Sequence, residues 1–105
     1  MTDKLLVLST AGSETEARKI AEALVERKLA ACVNIVPRIL SVYRWEGGVE
    51  HAEEYLLVIK TVAAREEQVR AIIRELHSYE LPEFITVSVT GGSAEYLKWL
   101  EDAVP

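Results

Sequence analysis

Cys32 is the only cysteine in this chain, and it sits in the stretch LAACVNIVP. The other soft or borderline metal donors are His51, His77 and Met1. Structural zinc sites take four Cys or His ligands at characteristic spacing. The chain has no C-x-x-C, H-x-x-H or H-E-x-x-H, so soft ligands from one copy cannot complete such a site. Copper needs fewer ligands, and symmetric copies could share them. A nucleophilic Cys32 would need a base or cation beside it. Lys60 or His77 could serve only if the fold brings them near. The simplest reading of Cys32 is a small side chain packed in a strand, where free cysteine commonly sits.

Four further residues join the list. Lys60 closes the apolar run LLVIK, and is either a snorkelling strand-end lysine or a cation facing an anionic ligand. Tyr79 and Glu83 flank, with His77, a connection between a helix and a strand, where functional side chains often sit. Trp45 lies at a hairpin end, suited to packing against another chain. His51 follows the turn among glutamates and reads as solvated. P-loop, G-x-G-x-x-G and G-x-S-x-G patterns are absent. The first strand is followed by STAGSETEAR, which is acidic and lacks the glycine-rich, arginine-terminated anion loop of small acyl-phosphate hydrolases. No catalysis is expected.

The elements that must position these residues follow from periodicity. Residues 4–9 (KLLVLS) form a continuous apolar run typical of a strand buried on both faces. Gly12 breaks it, and Ser13 with Glu16 makes the S-x-x-E capping-box pattern. Ala17, Ile20, Ala21, Leu24 and Val25 then keep the spacing of one helical face, over about four turns. Residues 32–45 are rich in β-branched and aromatic side chains, Glu46-Gly47-Gly48 supplies a turn, and residues 53–61 form the return strand. At ~3.3 Å per residue the first arm spans roughly 46 Å, far beyond an ordinary strand. Pro37 predicts a bulge or bend. One parity of this arm carries Val33, Ile35, Ile39, Tyr43 and Trp45, and the other carries Cys32, Val36, Leu40 and Val42. Both faces are therefore apolar. Val69, Ile72, Ile73 and Leu76 mark a second helix that stops near His77, residues 83–90 a last strand, and Ser93 the cap of a short terminal helix.

The order β-α-β-β-α-β matches the split βαβ, ferredoxin-like arrangement, an α+β fold with an extra C-terminal helix. Residues 1–105 read as one domain, which at this size buries roughly 60–70% of its unfolded surface and needs no disulfide or metal to fold. Two helices cover one sheet face only, so the two-sided apolar hairpin points to self-association. The formal charge is −5, from 12 Lys and Arg against 17 Asp and Glu, with no basic run. That excludes nucleic acid and an anionic membrane surface as partners. No stretch approaches the ~20 apolar residues of a membrane span. With a single cysteine and no signal-peptide pattern, the expected location is the cytoplasm.

Taken in order, ACVN, Y-x-W at the hairpin end, LLVIKT, H-x-Y-x-x-P-E and EYLKWL resemble the CutA family of divalent-cation tolerance proteins, from about residue 6 to 100. The resemblance implies a tight homotrimer in which the long hairpins pair between subunits. It implies a role in tolerance to copper and other divalent metals, with weak copper binding at most, no required cofactor and no enzymatic activity. The family's intersubunit cleft maps to Trp45, Lys60, Tyr79 and Glu83, with Cys32 and His77 as the metal contacts. Two departures thin that metal site: Ser9 stands where some members have cysteine, and Leu76 where some have a second histidine. The architecture also resembles PII-like signalling trimers. This opens an alternative in which the cleft holds a small anionic ligand, with Lys60 and His77 as donors.

Overall fold

The computed structural model describes residues 2–105. Met1 lies outside the described residues. The elements run β1 (Lys4–Ala11), α1 (Glu14–Glu26), β2 (Cys32–Trp45), β3 (Gly48–Val62), a 3-10 turn (Ala63–Arg65), α2 (Glu66–Leu76), β4 (Ile85–Ser88) and α3 (Ala94–Ala103). The four strands form one sheet in the order β2-β3-β1-β4, with every neighbouring pair antiparallel. This is the expected α+β, split βαβ arrangement with a terminal helix.

Local chemistry accounts for each helix end. Ser13 caps α1 by accepting the Glu16 amide N–H, and Ser93 caps α3 by accepting that of Tyr96. Glu16 does not complete the capping box, because its carboxylate is engaged elsewhere, as described below. The apolar stripes of α1 and α2 pack on one sheet face. Ile20, Leu24, Val69 and Ile73 meet Val7, Leu57 and Ile59 there, each at most 1% exposed. Each such side chain contributes about 1.5–3 kcal/mol of burial. Thr61 is tied into this layer through its hydroxyl, which donates to the Leu29 carbonyl at 2.6 Å.

The hairpin has 14- and 15-residue arms, and the chain is 44 Å along its longest axis. Its pairing slips between Val36 and Ile39, where Arg38 takes φ 59°. Pro37 lies within this bulge, as its missing N–H predicts. The extra residue corrects the parity read from sequence. Before the bulge, Val33 and Ile35 pair with Ile59 and Leu57 and face the helices. Beyond it, Ile39, Tyr43 and Trp45 pair with Glu54, Glu50 and Gly48, whose side of β3 faces away from the helices. One inserted residue turns every later side chain to the opposite face.

Strand β4 is shorter than expected, four residues instead of eight. Its flanks bond outside the regular ladder: the Ser9 hydroxyl donates to the Glu83 carbonyl at 2.8 Å, and the Thr2 hydroxyl to the Val89 carbonyl at 2.7 Å. Ile85 and Val87 pair with Leu8 and Leu6 and share their side of the sheet, 51% and 42% exposed. That open side also carries Val36, Leu56 and Val58. Helix α3 covers only one end of it, where Val62 packs with Leu100 and Val104 and Lys4 bridges Asp3 and Glu101.

Candidate functional site

The residues singled out from sequence fall into two groups at opposite ends of the open sheet face. Cys32 pairs directly with Lys60, which pairs with Leu6. Lys60 Nζ lies 3.4 Å from the Tyr96 hydroxyl and 5.7 Å from the centre of that ring, so α3 holds its ammonium in place. Cys32 is half-buried beside it. His77 sits at the other end, against Thr10, whose partner on β3 is Leu56. Four residues of strand separate the two pairings, about 13 Å at ~3.3 Å each. Within one chain, Cys32 and His77 do not converge on a metal. Among the described residues no three His, Cys, Asp or Glu side chains cluster as a metal site.

His77 is also chemically committed. Its side chain is fully buried. Nδ1 accepts the Tyr79 backbone N–H at 3.0 Å, which requires Nδ1 to be unprotonated. Nε2, 2.6 Å from the Thr10 carbonyl oxygen, then carries the proton and donates it. In this arrangement both ring nitrogens of His77 are engaged within the chain, and neither faces open space where a metal or an anion could meet it. Glu16 completes the clamp by accepting both the Ser78 N–H at 3.0 Å and the Ser78 hydroxyl at 3.2 Å. The first turn of α1 thereby fixes the connection between α2 and β4.

That connection aims Tyr79 and Glu83 into a groove of about 820 Å³ on the open face. Tyr43, Trp45, Glu54, Tyr79, Pro82 and Glu83 line it. The bulge at Pro37 is what delivers Tyr43 and Trp45 to this side. The Tyr79 hydroxyl donates to Glu54 Oε2 at 2.8 Å. Burial, then this bond to a carboxylate, holds the phenol well above its ordinary range. Gly12 leaves room for the ring: a Cβ there would stand 3.1 Å from the Tyr79 hydroxyl oxygen. Burial, and then the charge of Glu54, pushes the Glu83 carboxyl up. The groove is therefore acidic and aromatic. Its charge is opposite to that required by the anionic-ligand alternative, and Lys60 is not among its lining residues.

Sequence reading missed Glu54 and Glu16. A signal for Glu54 exists: it shares strand parity with Leu56 and Val58, so a carboxylate stands on an otherwise apolar side. Glu16 reads as an ordinary capping-box residue and gives no such sign.

An open-faced split βαβ domain with a long hairpin and an acidic groove is thus the class defined by fold and site. A profile of the CutA1 divalent ion tolerance protein family matches residues 5–103, and the chain belongs to that family. The divalent-cation tolerance protein CutA of Thermus thermophilus is 45% identical over 97 residues, covering 92% of this chain and 94% of that protein. A CutA homolog of Xenopus laevis is 45% identical over 96 residues, and this chain spans only 64% of its length. The crystal structure of CutA from Xylella fastidiosa superposes with a TM-score of 0.96 at 38% identity, covering 99% of this chain and 100% of that one. Among the described residues no helix is long and apolar enough to cross a membrane.

Proposed function

We propose that this chain acts as a cytoplasmic homotrimer that supports tolerance to divalent cations, copper included, without catalysing a reaction. Family membership supports the tolerance role. The uncovered apolar sheet side, from Leu6 and Leu8 across Leu56 and Val58 to Ile85 and Val87, supports self-association, since monomeric proteins rarely leave such a face in water. The count of three and the pairing of hairpins follow the resemblance, and a closed cyclic assembly leaves no free sheet face. In that assembly Trp45, Tyr79 and Glu83 of one subunit border the cleft, with Lys60 and Cys32 of a neighbour as its remaining wall. Cys32 is the one soft donor left for copper once His77 is committed.

Sedimentation equilibrium on the reduced protein tests the assembly: three times the 11.7 kDa chain mass is expected, and Val58→Glu should lower it. A monomer at micromolar concentration would sink the reading. Competition titrations with Cu(I), Cu(II) and Zn(II), on wild type and Cys32→Ala, test the metal. Saturable binding at a fixed ratio, lost in the variant, makes Cys32 a ligand. Equal binding by both proteins removes it.

The 820 Å³ groove favours a second reading, a trimer that binds a small ligand, because a cavity of this size suits an organic molecule better than a bare ion.

A further inference from the structure

We draw no further inference here: the strongest candidate, the groove of about 430 Å³ on the helix side of the sheet between α2 and β4, where the Arg70 guanidinium lies 6.0 Å from the centre of the Phe84 ring and Arg74 and Leu81 join the lining, runs along an outer edge of the sheet, and nothing in the structure shows what covers it.

Discussion

Replacing Tyr79 with phenylalanine isolates the contact on which the groove depends. The change deletes one oxygen, the donor 2.8 Å from Glu54 Oε2, and keeps the ring that packs 4.5 Å from His77. A hydrogen bond to a charged group contributes about 1.5–3 kcal/mol net. Tyr79 is 38% exposed, so water can take over part of the lost donor, and the lower end of that range applies. Tyr79→Phe should therefore cost about 1.5 kcal/mol. In a domain of this size that lowers Tm by roughly 6–10 °C. Equilibrium urea unfolding at fixed protein concentration gives the number, the fixed concentration being needed wherever subunits associate. A double-mutant cycle with Glu54→Gln then isolates the pair, and its coupling should exceed about 1 kcal/mol. A Tyr79→Phe protein within about 0.3 kcal/mol of wild type, or additive variants, would refute the view that Tyr79 holds Glu54.

Gly12→Ala places a methyl 3.1 Å from the Tyr79 hydroxyl oxygen, so it should cost about 1 kcal/mol by urea unfolding, and less in the Tyr79→Phe background. Leu24→Ala empties a site with no exposure in the helix–sheet core and should cost about 2–5 kcal/mol in the same assay. Glu83 has a folded-state pKa above its ordinary 4.5, so the folded protein holds its proton more tightly and stability falls as pH rises from 4.5 through the raised value. Glu83→Gln should remove that fall, leaving Tm flatter than wild type across that window and higher at pH 7; an unchanged profile would show that Glu83 ionises without cost.

The expectation of a cleft built from six residues divides along instructive lines. Trp45, Tyr79 and Glu83 do line one groove. Each belongs to a motif whose place in the chain order, hairpin end or helix-to-strand connection, was legible. Lys60 and Cys32 lie at the far end of the same sheet face, and the helix carrying Tyr96 holds that lysine. Strand parity grouped Cys32 with Val36 and Lys60 with Leu56 and Val58, but only the pairing of β2 with β3 brings Cys32 opposite Lys60, and only the fold says how far along the sheet His77 lands. Tyr96 and Gly12 gave no signal, because their importance lies in contacts across 36 and 67 residues of chain.

Local rules settled a good deal. Alternation and helical spacing settled the type and order of the elements, though not the bounds of β3 and β4, while Ser13 and Ser93 marked the helix starts, the β-α-β-β-α-β order the fold class, and Pro37 the position of the bulge. These depend on neighbours within a few residues, where sterics and hydrogen-bond supply are written in residue type. The direction of the bulge's effect was a tertiary matter. Whether Tyr43 and Trp45 face the helices or the open side depends on pairing with β3 beyond an inserted residue, and one residue of register reverses the answer. The fate of His77 was equally beyond local rules. Its donors and acceptors come from β1 and the turn at Tyr79, and only their convergence turns a free imidazole into a bonded structural one.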